Sequence, residues 1–247
     1  MAITFTKKEL LTLLIATLVI ALTIAFDDKQ PTFILEDWLM NYLATFLLTL
    51  LALTIFASAT KWQAGKSKSA ARIELWSITR VGWSAAAKAK TPFYTGVIIP
   101  LMLAILSGGK VPFGAATQYS LQTNPAHRIG KEFIRLTDYE QAKIAAYAPT
   151  LLTFIAIIMR LFNSPLADRL SYIMLVIAVT NMLPLPNLNG IKAFFGSRLL
   201  YAFTGAMMLI TLPLINAVNP LALILIAFFF GILVLFFTYE YDFIKAK

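Results

Sequence analysis

Polar side chains that could do chemistry gather at one place in an otherwise apolar sequence, residues 181–190 (NMLPLPNLNG). The stretch follows a long apolar run and contains Pro184, Pro186 and the pair Asn189-Gly190. Proline has no backbone N–H and obstructs a helix, so a helix is predicted to end or unwind here. Non-helical backbone at membrane depth is tolerated only where it is buried in protein or lines a wet cavity. The stretch is therefore a candidate site, although it contains no acidic residue.

Reactive groups are scarce elsewhere in the chain. There is no cysteine, His127 is the single histidine, and the 12 carboxylates lie outside or at the edges of the apolar runs. Thiolate metal sites and disulfides are excluded, and no two histidines can share a metal. We expect no catalytic residue, no bound metal and no cofactor. His127 is interpreted as an ordinary loop histidine in preference to a ligand or a pH sensor.

Other intramembrane chemistries also lack their residues. Ser58 lies in an apolar run, but no lysine or histidine lies in a central apolar stretch to activate it. It is interpreted as a small polar residue at a helix contact. An aspartyl mechanism needs two buried carboxylates, and ion or proton relays use intramembrane ionisable groups. A secondary transporter is disfavoured for the same reason.

The composition indicates an integral membrane protein whose first partner is the lipid bilayer. Of the 247 residues, 59% are hydrophobic and 13% are charged, whereas soluble domains contain about 25% charged residues. The net charge of +9 fits basic loops on the cytoplasmic face. We expect no nucleic-acid binding, because no nucleic-acid motif accompanies these charges.

The predicted fold class is an all-α polytopic membrane protein with one transmembrane domain over residues 1–247. Two T-x-x-E capping boxes, Thr6/Glu9 and Thr137/Glu140, precede apolar runs, and the second predicts a helix from Gln141. The first run is interpreted as a retained helix, not a signal peptide. Six runs approach the ~20 residues needed to cross a membrane: 10–26, 39–60, 142–162, 172–185, 199–217 and 221–239.

Residues 61–141 are predicted to be an irregular, re-entrant cytoplasmic segment. If this segment enters and leaves the membrane on one side, 18 of the 21 Lys and Arg residues share a face. That bias predicts cytoplasmic N- and C-termini in the cell membrane. Residues 97–106 would form half of a hairpin, and residues 111–121 a short strand. The tryptophans Trp62, Trp76 and Trp83 are interpreted as headgroup-region residues beside lysines.

Three motifs together resemble the site-2 protease family of intramembrane zinc metalloproteases, in particular its short archaeal members. Residues 181–190, followed by Lys192, resemble the family motif Asn-x-x-Pro-x-Pro-x-Leu-Asp-Gly, with Asn189 in place of the aspartate. Residues 143–149 are similar to its Ala-Gly-Pro helix start, with Ala148 in place of glycine. Residues 71–76 (ARIELW) resemble the segment after its His-Glu-x-x-His helix and so place that zinc motif at residues 56–60. The resemblance covers most of the chain and implies a site-2-protease-like core.

The same resemblance implies that the zinc site is degenerate. The family's enzyme needs two histidines at i and i+4, a glutamate beside the attacking water and a carboxylate ligand. Phe56 and Thr60 stand at the histidine positions, Ala57 at the glutamate position and Asn189 at the aspartate position. The chain is thus expected to be a catalytically inactive pseudoprotease.

The polar niche that remains has two interpretations. Its predicted members share small or polar side chains, or they unwind the backbone: Ser58, Asn181, Pro184, Pro186, Asn187 and Gly190. They satisfy backbone carbonyls that Pro184 and Pro186 leave free, or they bind an unwound partner helix without cutting it. We expect a membrane-embedded binding or structural subunit of a larger complex with other transmembrane subunits. The alternatives are a residual metal-dependent peptidase that uses a partner's ligands, and a lipid- or solute-handling protein that uses the basic, tryptophan-rich loop.

Overall fold

A computed structural model of the chain describes residues 3–27, 33–80, 88–123 and 136–241. His127 and Trp83, whose roles were predicted from the sequence, lie outside the described residues. The described residues are mostly helical, and their elements follow in chain order: α1 (Lys7–Ile24), α2 (Leu35–Lys66), β1 (Ser69–Leu75), β2 (Ile78–Arg80), β3 (Lys88–Phe93), α3 (Thr95–Ser107), β4 (Thr117–Thr123), α4 (Asp138–Met159, with a 3-10 turn Arg160–Phe162), α5 (Pro165–Asn181), α6 (Asn189–Gly196), α7 (Arg198–Leu214) and α8 (Pro220–Tyr239).

Both predicted capping boxes are present. The Thr6 hydroxyl accepts the Glu9 N–H, and the Glu9 carboxylate accepts the Thr6 N–H in return. Thr137 and Glu140 make the same pair of bonds at the start of α4. Because Thr137 is the cap, α4 begins at Asp138, three residues before the predicted start.

Three of the described helices are long and apolar enough to cross a membrane, namely α2, α4 with its 3-10 turn, and α8. Helices also form over the other three predicted spans, but they have 18 residues in α1 and 17 each in α5 and α7. α3 and α7 are shorter apolar helices. The structure therefore supports a mostly helical protein in which three helices have the length and composition needed to span a membrane.

The segment predicted to be irregular contains ordered strands, which the all-α class did not include. β1 pairs with β4 in an antiparallel register from Ser69↔Thr123 to Leu75↔Thr117, and β2 pairs with β3. Side chains along β1 alternate between buried and exposed, as expected for a strand with one covered face. The strand predicted within residues 111–121 begins only at Thr117.

α3 follows β3 in the chain and precedes β4. Together with the extended residues after it, α3 forms a hairpin beside α1. α3 packs against α1 and ends at Ser107. The two residues that follow, Gly108 and Gly109, have left-handed φ values of 60° and 80°. A β-carbon on Gly109 would lie 2.9 Å from the backbone nitrogen of Asp27, which follows the C-terminal end of α1. The chain then returns to β4, near the N-terminal end of α1. Lys110 thus lies near the end of α1 that is opposite to Lys7, although both lysines were predicted to share one face.

α4 lies at the centre of the bundle, where it packs against α2, α5, α6 and α7. Its buried surface is rich in alanine, including Ala145, Ala148 and Ala156, which are fully buried. Small side chains allow close approach of helix backbones in membranes. α4 thus contacts both the α2 and the α6 regions of the predicted site.

Candidate functional site

The predicted unwinding after α5 is present. α5 ends at Asn181, and α6 begins only at Asn189. Between them the Leu185 N–H donates to the Leu183 carbonyl at 2.8 Å, and the Leu188 N–H donates to the Leu185 carbonyl at 3.2 Å. Asn187 has φ 67°, a left-handed conformation that asparagine tolerates better than most residues.

Trp76 forms a hydrogen bond to the backbone of this loop. Its indole N–H donates to the Pro186 carbonyl at 2.8 Å, and the neighbouring Ser77 carbonyl accepts from Asn187 Nδ2 at 2.8 Å. The Trp76 carbonyl accepts from the Gly96 N–H at 2.8 Å, and its ring stacks on Phe113. Trp76 is 1% exposed, so its interpretation as a headgroup residue is wrong. Trp76 follows β1 directly in the chain, its indole N–H contacts the loop and its backbone carbonyl contacts the start of α3. Trp76 therefore fixes the loop's position.

Gly190 sets the close approach of α6 to the end of α5. A β-carbon at this position would lie 2.1 Å from the Met182 carbonyl oxygen and 2.3 Å from that of Leu183. Those distances are shorter than any non-bonded contact, so glycine is required here for a steric reason. The family-like Asn189-Gly190 pair therefore has a packing role in this chain.

Asn189 is buried and bonded to the backbone of α4. Its Nδ2 donates to the Ala145 carbonyl at 2.8 Å. In a helix this carbonyl would accept the N–H of residue 149, but that residue is Pro149, which has none. Asn189 thus satisfies a carbonyl that Pro149 leaves free. The sequence had instead predicted that Pro184 and Pro186 leave the carbonyls free.

Two buried amide oxygens at the site have no partner among the described residues. Asn181 and Asn189 are both 0% exposed. Asn181 Nδ2 donates to the Ile177 carbonyl at 2.9 Å within its own helix. The Oδ1 atoms of both asparagines lack a hydrogen-bond partner in the described part of the chain. A buried acceptor that stays unsatisfied costs about 1–3 kcal/mol.

The positions assigned to the zinc helix lie on the buried face of α2. Phe56 is 4% exposed, Ala57 1% and Thr60 0%. Phe56 and Ala57 carry no donor atom for a metal, and the Thr60 hydroxyl donates to the Phe56 carbonyl at 2.9 Å. Within residues 3–27, 33–80, 88–123 and 136–241, no group of three His, Cys, Asp or Glu side chains is placed to hold a metal ion.

The predicted niche is divided among three places. Asn181 and Gly190 are buried where α5 meets α6, whereas Pro184, Pro186 and Asn187 are exposed on the loop. Ser58 lines a separate cavity between α2 and α4. Of these three places, only the exposed loop and the Ser58 cavity are open to another molecule in this conformation.

The burial of two charged side chains, Glu9 and Lys192, was not anticipated from the sequence. The Glu9 carboxylate is 2.7 Å from Lys61 Nζ and also accepts the Ile73 N–H at 3.1 Å. Burial raises the pKa of Glu9, but the hydrogen bonds from Lys61, Thr6 and Ile73 outweigh it and lower the pKa to about 2. The only sequence signal was the capping box that contains Glu9.

Lys192, which follows the unwound motif, extends under the β1–β4 sheet. Its Nζ donates to the Tyr119 carbonyl at 2.5 Å and lies 3.7 Å from the centroid of the Tyr119 ring. Burial lowers the pKa of Lys192 to about 8, and the negative charge of Glu74 partly opposes that shift. Lys192 thus ties α6 to β4 and is not placed at the loop surface.

Comparison of the chain with models of protein families, with curated proteins and with solved structures found no match. Its function therefore has to be inferred from the geometry of the site and from the sequence motifs.

Proposed function

We propose that this chain is a non-catalytic, membrane-embedded binding subunit with a site-2-protease-like core, which holds a transmembrane segment of another protein. The observation that carries the proposal is the role of Asn189. Its amide N–H caps the Ala145 carbonyl, whereas an ionised aspartate can only accept hydrogen bonds. At the motif's metal-ligand position, this chain therefore uses a structural donor.

The proposal includes six membrane spans with both termini on the cytoplasmic side. At 1.5 Å per residue, α1, α5 and α7 are about 26 Å long, close to the ~30 Å hydrocarbon core. Together with the three longer helices they overlap the six apolar runs. The remaining basic residues of the predicted cytoplasmic face favour the orientation.

The exposed loop after α5 is the proposed contact for the partner. Leu183, Pro184, Pro186 and Asn187 are exposed, while Trp76 holds the loop backbone in place. A loop that is already ordered loses little conformational entropy when it binds. The buried Asn181 and Asn189 side chains do not contact the partner in this arrangement.

Photocrosslinking in cells tests the partner. A photoreactive amino acid replaces Pro184, and the control replaces Phe229, which is exposed on α8 and is expected to face lipid. We expect one defined protein adduct at position 184 and none at position 229. The absence of a protein adduct at 184, with a monomer on purification in mild detergent, contradicts the binding proposal.

Rebuilding the zinc site tests the proposed core. The triple variant Phe56→His, Thr60→His and Asn189→Asp supplies two histidines at i and i+4 and one carboxylate. If these positions converge as in the family, zinc at 100 times its Kd stabilises the variant by about 2.7 kcal/mol and leaves the wild type unchanged. Metal content and thermal unfolding with and without zinc measure this. A variant that retains no zinc shows that the positions do not converge.

A further inference from the structure

A separate apolar groove lies between α2 and α4, on the outside of the bundle. It has a volume of about 310 Å³ and is lined mainly by apolar and aromatic side chains. Its lining includes Thr54, Ile55, Ser58 and Trp62 of α2 and Tyr147 and Leu151 of α4. Trp62 and Tyr147 lie against each other with ring centroids 5.2 Å apart. None of these residues belongs to the unwound loop.

The groove residues form one stripe on each helix. Thr54, Ser58 and Trp62 are four residues apart on α2, and the next position in this series is Lys66. Leu151 and Tyr147 are four residues apart on α4, and the series continues to Lys143. Residues four apart share a helix face. Because α2 ends where α4 begins, both lysines lie at the same end of the groove.

This order of side chains matches the layers of a membrane leaflet. The apolar part comes first, then an aromatic pair of the kind enriched at the membrane interface, then two cations. Lys66 Nζ is 3.5 Å from the centroid of the Trp62 ring, and Lys143 Nζ is 4.8 Å from that of Tyr139. In the described ranges neither lysine forms an ion pair with a carboxylate, whereas the nearby Lys61 is paired with Glu9.

We propose that this groove is a binding site for one anionic phospholipid. An acyl chain lies along Ile55, Ser58 and Leu151, and the phosphate lies between Lys66 and Lys143. The order of the lining favours a lipid over a partner helix. A phospholipid carries its charge at the end of apolar chains, as the apolar stripe of the groove leads to the two lysines. The two lysines, which have no ion pair with a carboxylate among the described residues, supply the preference for negative charge.

Native mass spectrometry of the full chain in detergent tests the site. The chain is titrated with phosphatidylglycerol and with phosphatidylcholine of the same acyl chains. We expect one phosphatidylglycerol to bind about tenfold more tightly than phosphatidylcholine. The double variant Lys66→Gln/Lys143→Gln should lose about tenfold in affinity for phosphatidylglycerol and keep its affinity for phosphatidylcholine.

Two further variants separate the groove from the charge. Lys7→Gln/Lys8→Gln removes the same number of charges from exposed positions at the start of α1, and it should change the affinity by less than about twofold. Ser58→Phe fills the groove and should weaken the binding of both lipids. Thermal unfolding confirms that each variant is folded.

Several results overturn the proposal. These are equal binding of both lipids, an unchanged phosphatidylglycerol affinity in Lys66→Gln/Lys143→Gln, and competition by soluble glycerol phosphate, which would indicate a site for free phosphate. A co-purified transmembrane peptide that competes with the lipid and crosslinks to position 58 would assign the groove to a protein partner instead.

Discussion

Asn189 stands at a position where the chemical difference between an amide and a carboxylate can be measured directly. We expect Asn189→Asp to destabilise the protein by about 3 kcal/mol at neutral pH, because the Ala145 carbonyl loses its donor and a charge is buried. The loss should shrink at low pH, because a protonated carboxyl can again donate a hydrogen bond. Thermal unfolding in detergent from pH 4 to pH 8 measures this.

Asn187→Asp is the matched control for that variant. It makes the same chemical change on the exposed part of the loop, where water can replace the hydrogen bond to the Ser77 carbonyl, and should cost less than about 1 kcal/mol. Equal losses at positions 187 and 189, or a loss at 189 that does not depend on pH, would contradict the capping role of Asn189.

Glu9 should make the stability depend on pH in the acid range. Its pKa is lowered from 4.5 to about 2 in the folded chain. A lowered carboxyl pKa stabilises the protein above the unfolded pKa, and this contribution is lost as the pH falls from about 4.5 towards 2. Glu9→Gln should therefore remove part of the acid sensitivity. It should also cost about 3 kcal/mol at pH 7, because Lys61 is left without its partner.

Glu36→Gln controls for the loss of one carboxylate, because Glu36 is exposed at the start of α2. Its acid-unfolding curve should match that of the wild type. If Glu9→Gln and Glu36→Gln give the same pH profile, the ion pair with Lys61 does not stabilise the fold.

Among the elements, the contact between α6 and the end of α5 depends on the absence of one methyl group. Gly190→Ala places a β-carbon within 2.3 Å of two carbonyl oxygens, so α6 must move. We expect a loss of about 3 kcal/mol. Gly205→Ala, on α7 with nothing within 4 Å of the new carbon, should be neutral or stabilise by up to about 1 kcal/mol. Thermal unfolding distinguishes the two variants, and equal melting temperatures would refute the close approach.

Local sequence signals were sufficient to predict most helices. Apolar runs and T-x-x-E caps depend on neighbours in the chain, and both boxes form as expected. β1, β2 and β3 were missed, whereas the strand predicted within residues 111–121 overlaps the first part of β4. The alternation in β1 is interrupted by alanine and was interpreted as part of a headgroup segment. Its partner β4 is recruited across the α3 hairpin, a pairing that no local pattern specifies.

The same distinction separates the predictable from the unpredictable parts of the site. Two prolines were sufficient to predict the unwound loop. The bond from Asn189 to Ala145 joins residues 44 positions apart, and the bond from Trp76 to Pro186 joins residues 110 positions apart. Such bonds depend on how the helices pack, so residue type alone gave Trp76 the wrong environment.

For the whole molecule, the position of Lys110 tests the topology. The native chain has no cysteine, so single cysteines can be introduced at Lys7, Lys110 and Leu166 without background. Because Gly109 lies against Asp27, we expect Lys110→Cys and Leu166→Cys to react with an impermeant maleimide on intact cells. Lys7→Cys should react only after permeabilisation. Labelling of Lys110→Cys together with Lys7→Cys would show that the α3 hairpin does not reach the far side.

The ion pair of Glu9 also constrains how the protein is made. The first helix leaves the ribosome before Lys61 and Ile73 have been translated, and those two residues supply the bonds that hold the Glu9 carboxylate out of water. Until then the carboxylate keeps its hydration, so α1 cannot settle against the rest of the protein. α1 is thus synthesised before the residues that fix it in place, and those residues are complete only when β1 has been synthesised.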